Sequence, residues 1–365
     1  MGLKCGIIGI TNIGKTTIFN CISNTKAEAS NFAFSASKSN IGMINVPDDR
    51  LGKINEIIQS DKVTAATVDI VDIPGLTKGS SKGEGIGNKF LNDIQQCDAL
   101  IHVVRCFDDD NLPHIEGSVN PVRDKEIVDM ELVIKDLEMV ERRIERFEKV
   151  AKSGDKDAKK ALEILITYKA HFEEFQSART VPLNKDEKNF IADLDLLSDK
   201  PVIYVCNVDD ASAVNGNKYV EDFKAAVKDE EAEVLIIAGK LESEIAELED
   251  EGDRREFLDD AGLIEPGVNK MIRSAYDLLE LQSFFTAGKQ EVRAWTIHKG
   301  MTAPKAAGVI HSDLERGFIR AEVMSFDDFY SLGSEHAVKD AGKFRVEGKN
   351  YIVKEGDILH IRFNV

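Results

Sequence analysis

Short apolar runs alternate with amphipathic or polar stretches along the chain as far as residue 240. Runs of this almost continuously apolar kind are typical of strands that are buried on both faces of a sheet. They lie at 3–8, 66–71, 99–104, 201–206 and 234–237. Helical patterns lie between them, at 16–21, 88–96 and 217–228. The alternation predicts an α/β fold with right-handed crossovers and a doubly wound, mainly parallel sheet.

A long insertion separates the third run from the fourth, because residues 106–200 are far too many for one crossover. Within it, two stripes of apolar residues recur every three or four positions, as on one face of a helix. The stripes are Ile127, Met130, Ile134, Leu137, Val140, Ile144 and Phe147, then Ala158, Leu162, Leu165, Tyr168, Phe172 and Phe175. A turn at Ser153-Gly154-Asp155 separates them, so we predict an antiparallel helical hairpin inserted at 125–198.

The pattern changes again after Pro266. Short strands are predicted at 291–297, 317–323, 351–353 and 358–363, with a helix at 303–309. We therefore divide the chain into a first domain at 1–265, which the hairpin interrupts, and a small α+β domain at 280–365.

Composition places the chain among ordinary globular proteins. It has 365 residues, of which 42% are hydrophobic and 31% charged, which argues against wholesale disorder. No apolar run is long enough to span a bilayer and no signal-type segment opens the chain, so we expect no membrane association and a cytoplasmic location. The five cysteines are scattered without a CxxC pair, as in a reduced, cytosolic protein.

Charge is unevenly distributed. The formal net charge is −18, which argues against non-specific binding to nucleic acid. Residues 142–160, at the predicted hairpin tip, nevertheless hold eight basic side chains against four acidic ones. This basic tip is a candidate contact surface, although the same side chains could simply solvate an exposed helix.

A phosphate-binding motif follows the first predicted strand directly. The segment Gly9-Ile10-Thr11-Asn12-Ile13-Gly14-Lys15-Thr16 satisfies G-x-x-x-x-G-K-[ST], and a helix follows it. Loop amides, including those of Ile13 and Gly14, can surround phosphates, while the helix N-terminus favours the same anion. Lys15 would neutralise phosphate oxygens and the Thr16 hydroxyl would bind Mg²⁺. The first domain is therefore predicted to be a P-loop NTPase.

The second apolar run ends in a D-x-x-G motif at Asp72 and Gly75. An Asp at this place can hold Mg²⁺ through water, and Gly75 can donate its N–H to the γ-phosphate. The combination favours a GTPase-like switch protein. Leu76 stands where Ras-like enzymes carry a Gln that orients the attacking water, so either hydrolysis uses another group or the switch is slow.

Base recognition is expected from the ends of the last two strands of the first domain. Asn207 and Asp210 form N-x-x-D after the fourth run, and Lys240 follows the fifth. Guanine-specific enzymes read N-K-x-D, and Val208 stands in place of that Lys, so the guanine signal is incomplete.

With these motifs the chain resembles the YchF/Obg-like ATPase family over almost its whole length. The matching runs are Gly9–Thr16, Asp72-Ile73-Pro74-Gly75-Leu76, 81–91, 102–107, 292–296, 303–307, 339–343 and Arg362-Phe363-Asn364-Val365. The resemblance implies an Obg-type nucleotide domain, a helical insertion and a C-terminal TGS domain of the β-grasp type. It further implies a slow ATPase that associates with the ribosome, and we expect a monomer.

The family's residue roles carry over position by position. They imply that Asn12 and Thr17 join the phosphate loop, that Asn12 is a candidate K⁺ ligand, and that His114 positions the attacking water. The family's base-reading motif is N-x-x-E, which favours adenine, with Val208 lining the adenine pocket.

Two departures from the family pattern concern the metal and the base. Ala36 replaces the first-switch Thr that binds Mg²⁺, so Ser35, Ser37 or water would have to substitute. Asp210 replaces the family's Glu, which leaves the adenine preference open.

These observations predict a Mg²⁺-dependent ATPase that couples its nucleotide state to ribosome or RNA binding. A nucleotide-gated binding module with negligible turnover is the alternative that Leu76 and Ala36 favour. An ordinary GTPase is a third possibility, which rests on Asp210.

Overall fold

A computed structural model describes residues 3–24, 40–76, 86–152, 154–230 and 232–364. The chain divides into two compact units. The first consists of Met1–Gly42 and Asp69–Met271, and the second of Met43–Val68 and Ile272–Val365. Residues 43–68, which the sequence-based division assigns to the nucleotide domain, thus cluster with the C-terminal residues.

Strands and helices are numbered along the chain within the described residues. The strands are β1 Lys4–Ile8, β2 Asn40–Asn45, β3 Val63–Thr64, β4 Thr67–Asp72, β5 Ala99–Arg105, β6 Val202–Asn207, β7 Val234–Ile237, β8 Leu281–Ala287, β9 Val292–His298, β10 Phe318–Ser325, β11 Arg345–Glu347 and β12 Asp357–Phe363. The helices are α1 Lys15–Asn24, α2 Asp49–Ile58, α3 Ile86–Gln95, α4 Pro121–Ala151, α5 Lys156–Glu173, α6 Lys185–Asn189, α7 Lys218–Val227, α8 Gly239–Glu247, α9 Glu251–Asp260, α10 Gly267–Leu278, α11 Ala303–Ile310, α12 Ser312–Arg316, α13 Phe326–Leu332 and α14 Glu335–Asp340.

One six-stranded sheet has the strand order β2-β4-β1-β5-β6-β7. Strands β4, β1, β5, β6 and β7 are parallel, so the predicted parallel α/β sheet is confirmed. Every residue of β5 and β6 is buried, as their almost continuously apolar sequences predict. Because Ile7 pairs with Asp72 and Arg105 with Asn207, the carboxyl ends of four strands and the phosphate loop after β1 meet at one edge.

The insertion is a helical hairpin, as predicted. Asn120 caps α4 and Pro121 opens it, while Asp155 caps α5 after Gly154, whose φ of 93° suits the turn. Val140, Leu165 and Phe172 belong to the core between the helices. The predicted stripes are wrong at their margins, because Met130 is 40% exposed and Phe175 is 59% exposed.

The second unit contains a mixed sheet with the order β11-β10-β12-β8-β9-β3. One face packs on α11, where Phe284, Ala306, Val323 and Leu359 form the core. The strand predicted at 351–353 is wrong, because Ile352 makes only an isolated bridge with Thr302. Strand β8, an apolar strand at the centre of this sheet, has no counterpart among the predicted strands.

Two findings bear on the surroundings of the protein. In the described ranges, no helix combines the length and the apolar character that a bilayer crossing requires. All five cysteines are free and buried.

Candidate active site

The phosphate loop runs from the end of β1 to the start of α1. Its backbone turns sharply, with positive φ at Gly9 (143°), Asn12 (62°) and Gly14 (94°). Glycine reaches such angles without strain and asparagine tolerates the left-handed region, which explains these residue types. Thr16 and Thr17 are exposed in the first turn of α1. A loop of this kind at a helix N-terminus is suited to an anion, because free backbone amides and the helix dipole both favour negative charge.

Lys15 is buried, with 6% of its surface exposed. Its Nζ donates to the carbonyl oxygen of Ile10 at 2.7 Å. Burial lowers the pKa of Lys15 to about 8, and the nearby Asp72 partly opposes this shift. A phosphate group would provide the full negative charge that a lone carbonyl cannot, and would raise the pKa again.

Thr16 and Asp72 supply oxygen donors beside Lys15. The Thr16 hydroxyl donates to Oδ2 of Asp72 at 3.1 Å. Burial raises the pKa of Asp72, whereas the Thr16 hydrogen bond and Lys15 lower it. Gly75 approaches closely as well, since a Cβ there would lie 3.1 Å from Nζ of Lys15 and 2.9 Å from Cα of Thr11. The D-x-x-G segment therefore borders the phosphate loop, as its motif predicts.

Asn207, the last residue of β6, links the phosphate loop to the start of α8. Its Nδ2 donates to the carbonyl oxygen of Ile13 at 2.8 Å, and its Oδ1 accepts from the amide of Gly239 at 3.0 Å. A Cβ on Gly14 would lie 2.3 Å from this Nδ2. We call these contacts the Asn207 bridge. It holds the loop, β6 and the start of α8 in one arrangement.

The base-reading candidates lie beyond this bridge. Val208 is buried and donates its amide to the carbonyl oxygen of Ile237 at 2.9 Å. Lys240, at the start of α8, forms an ion pair with Asp210, the Nζ and Oδ2 atoms being 3.7 Å apart. Both side chains are substantially exposed. The structure thus brings together Asn207, Asp210 and Lys240 at one side of the phosphate loop.

His114 lies in the segment between β5 and α4. Its Nε2 lies 2.9 Å from Oδ2 of Asp124, and only 4% of its side chain is exposed. Among the residues that the structure describes, no hydrogen bond joins His114 to the phosphate loop. The hydrogen bond that the structure gives Nε2 is to α4 and not to the phosphate loop.

Other predicted residues divide between described and undescribed parts of the chain. Ser35, Ala36 and Ser37 lie outside the described residues. Leu76 is described and is 1% exposed, its amide donating to the carbonyl oxygen of Gly9 at 3.1 Å. A buried aliphatic side chain offers no hydrogen bond to an attacking water.

Two buried charged residues near His114 were not predicted from the sequence. Arg105 ends β5 and is 1% exposed, and Asp124 lies in the first turn of α4. Arg105 follows a run that is apolar except for His102. A charged residue at the end of such a run needs a specific partner, and this signal was available in the sequence. Asp124 gave no comparable signal, because an acidic residue in a first helical turn is ordinary.

Known proteins resemble this chain from end to end. The ribosome-binding ATPase YchF of Bacillus subtilis is 47% identical over 367 residues, covering 100% of both chains. The chain belongs to the YchF family. A second YchF, the ribosome-binding ATPase of Haemophilus ducreyi, is 48% identical over 365 residues, again covering 100% of both chains. The resemblance drawn from the motifs is therefore confirmed.

Family models and a solved structure agree with membership of the YchF family. A model described as 50S ribosome-binding GTPase matches residues 4–153. A YchF-GTPase C-terminal model, described as a protein of unknown function, matches 281–364. The structure of the Schizosaccharomyces pombe YchF GTPase has a TM-score of 0.87 and 33% identity, and covers 99% of this chain and 98% of its own. This likeness confirms the predicted class of fold, with a P-loop domain, a helical insert and a C-terminal sheet domain.

Proposed function

We propose that this YchF family member is a cytoplasmic, monomeric, ribosome-binding ATPase that hydrolyses ATP with Mg²⁺. The Asn207 bridge is the observation that carries the proposal. It joins the phosphate loop to the base-reading strand end, at 2.8 Å to Ile13 and 3.0 Å to Gly239. Phosphate and base subsites held by one side chain are suited to a nucleoside triphosphate. The names of the bacterial relatives support ATP and the ribosome.

The oxygen donors at Thr16 and Asp72 fit Mg²⁺. This ion prefers oxygen ligands and is commonly held by one or two protein groups together with substrate phosphates and water. A hydroxyl and a carboxylate whose oxygens lie 3.1 Å apart, beside the lysine that would meet the phosphates, make such a donor set. When bound, Mg²⁺ would neutralise charge on the phosphate oxygens. Thr16 would bind it directly and Asp72 through water, while Asn12 is the candidate ligand for K⁺.

The protein's own groups would position and stabilise the reacting phosphoryl group. The Lys15 ammonium and the loop amides would hold the oxygens on which negative charge develops. The backbone amide of Gly75 would donate a hydrogen bond to the γ-phosphate. The phosphate can come close to this amide because Gly75 has no Cβ. His114 would then position the attacking water, since Leu76 is unable to do so.

ATP is favoured over GTP by the residue at position 208 and by the relatives. Val208 stands where guanine-specific enzymes carry a Lys, and its buried, apolar side chain is compatible with the adenine ring. The bacterial relatives are named as ATPases. These two observations support adenine as the preferred base.

Phosphate release from purified protein tests the reaction. We expect kcat/KM for ATP to exceed that for GTP by about tenfold or more, because the base edge differs between them.

We also expect His114→Ala to lower kcat by about 10²-fold with little change in KM, as for the loss of a group that orients or deprotonates water. Equal efficiency with GTP would contradict the adenine assignment, and an unchanged kcat in H114A would contradict the role of His114.

A binding module with negligible turnover is the second candidate function. It is favoured by one observation, that His114 is hydrogen-bonded to Asp124 rather than to the phosphate loop. ATP consumption indistinguishable from a protein-free blank, alongside intact nucleotide binding, would select it.

The basic tip of the hairpin is the proposed ribosome contact. Several of its cations are used within the protein, since Arg142 pairs with Glu138, Arg143 with Asp193 and Lys160 with Glu187. By contrast, five basic residues of the tip are exposed, and the described part of the chain contains no ion-pair partner for them: Arg146, Lys149, Lys152, Lys156 and Lys159. These are the cations most available to phosphate groups of ribosomal RNA, and three of them, Lys152, Lys156 and Lys159, lie at the turn between the two helices.

Charge reversal at the tip should weaken ribosome binding. We expect Lys152→Glu with Lys156→Glu and Lys159→Glu to reduce affinity in co-sedimentation by about tenfold or more at low salt, because attraction to phosphates becomes repulsion. A matched control reverses three exposed lysines on α7 and at its C-terminal cap, which are Lys218, Lys224 and Lys228. The control changes the net charge by the same amount and should sediment like the unmodified protein. Equal losses in both variants would show that overall charge, and not the tip, governs binding.

A further inference from the structure

Both ring nitrogens of His114 are engaged by residues that follow it in the chain, Glu116 and Asp124. The amide of Glu116 donates to Nδ1 at 3.1 Å, so Nδ1 is the acceptor. Nε2 then carries the proton and donates to Oδ2 of Asp124 at 2.9 Å. A histidine that orients or deprotonates water must present one nitrogen to it. In this arrangement neither nitrogen is free to do so.

Asp124, the hydrogen-bond partner of His114, is itself fixed by its surroundings. It is 1% exposed and lies in the first turn of α4, where the helix N-terminus favours a negative charge. Nε and Nη2 of Arg123 donate to its other oxygen at 3.2 and 2.9 Å. Burial raises the pKa of Asp124, while Arg123 and His114 act in the opposite direction. The ion pair with Arg123 at 2.9 Å and the helix N-terminus stabilise an ionised Asp124, and with this form the bond from His114 is charge-assisted.

The segment that carries His114 has a firmly anchored first half. Arg105 donates to the carbonyl oxygens of Phe107 at 3.0 Å and Leu112 at 2.8 Å. Beyond His114, Gly117 has a φ of 78° and would meet no atom within 4 Å if it carried a Cβ. Gly117 thus follows His114 with an unhindered backbone, whereas Arg105 anchors the residues that precede it.

We propose that Asp124 is a positioning residue that holds His114 away from the attacking water, so that breaking their hydrogen bond is a step that limits ATP hydrolysis. This inference rests on the proposed role of His114. The ring alternates between the Asp124-bound arrangement and a released one, and only the released one presents a nitrogen to water. Because the bond to Asp124 is charge-assisted and buried, the released population is small and hydrolysis is slow.

Substitution of Asp124 tests this holding role in the full-length protein. We expect Asp124→Asn to raise kcat several-fold, because a neutral acceptor holds the imidazole less tightly than a carboxylate. We expect Asp124→Ala to raise kcat by about tenfold, because alanine offers the imidazole no acceptor. KM for ATP should stay within about twofold, since the phosphate loop is untouched. In the H114A background both substitutions should leave kcat unchanged, a result that a general structural effect would not give.

A matched control is Glu126→Gln, two residues along the same helix and exposed, which should leave kcat unaltered. If D124N lowers kcat toward the H114A level, or leaves it unchanged, the holding role is wrong. If H114A itself has normal kcat, the proposed catalytic role of His114 fails instead. Because Asn preserves the shape of the Asp side chain, we expect D124N to fold. A thermal unfolding transition like that of the unmodified protein would show this.

Discussion

Replacing Lys15 with Met should lower kcat/KM for ATP by about 10²–10³-fold, the range found when one stabilising donor is removed from a transition state. The loss arises because Lys15 supplies the side-chain positive charge in the phosphate loop, where it is 6% exposed. Met keeps most of the aliphatic volume, and a neutral side chain is less costly to bury than an ammonium. The thermal unfolding temperature should therefore not fall. Phosphate release and unfolding measured by circular dichroism check the two parts.

Lys240→Met is the matched control for Lys15→Met. Lys240 also lies at a helix start beside a carboxylate, but its side chain is 77% exposed and its partner Asp210 is 44% exposed. Screening by water makes such a pair weak, so the loss in kcat/KM should stay below about tenfold. If K15M retained kcat/KM within tenfold of the unmodified protein, the phosphate loop would not be the catalytic site.

Replacing Gly14 with Ala should abolish nucleotide binding at ordinary concentrations and destabilise the protein by about 2–4 kcal/mol. The added Cβ would lie 2.3 Å from Nδ2 of Asn207, and the φ of 94° is unfavourable for alanine. Asn207 must then move, which breaks its buried bonds to Ile13 and Gly239. Fluorescent ATP titration and denaturant unfolding measure the two losses.

Gly154→Ala separates the steric part of this effect from the backbone part. Gly154 has almost the same φ, 93°, but nothing lies within 4 Å of an added Cβ. Its substitution should cost only about 1 kcal/mol and leave ATP affinity unchanged. Equal destabilisation by G14A and G154A would mean that the Asn207 bridge contributes little.

The parallel sheet could be predicted because its central strands are buried on both faces. The sequence of each is therefore almost continuously apolar, as in β5 and β6. The hairpin could be predicted for a similar reason, although periodicity does not define how wide the buried face is. Met130 and Phe175 continue the stripes in sequence but are exposed, and Phe175 lies two residues past the end of α5 at Glu173.

The C-terminal unit was harder to predict because its sheet draws on distant segments. Strand β3, at Val63–Thr64, pairs with β9 at Val292–His298. A two-residue strand has no periodicity of its own, and its pairing depends on residues more than 200 positions away. The 351–353 segment shows the opposite error, a strand that was predicted but is not formed. Its apolar residues alternate in sequence, yet it makes only an isolated bridge.

The phosphate-binding chemistry could be predicted from the order of residues alone, since the loop glycines, Lys15 and Thr16 are close neighbours in the chain and their roles depend on local backbone geometry. Which distant side chains constrain them became clear only from the folded chain. Asn207 is hydrogen-bonded to Ile13, 194 positions earlier in the chain. Asp124, at the start of α4, is hydrogen-bonded to His114, ten positions earlier, because folding brings the start of this helix beside the histidine. The physical reason is that a hydrogen bond depends on separation in space, which a linear order of residues specifies only within a loop or a helical turn.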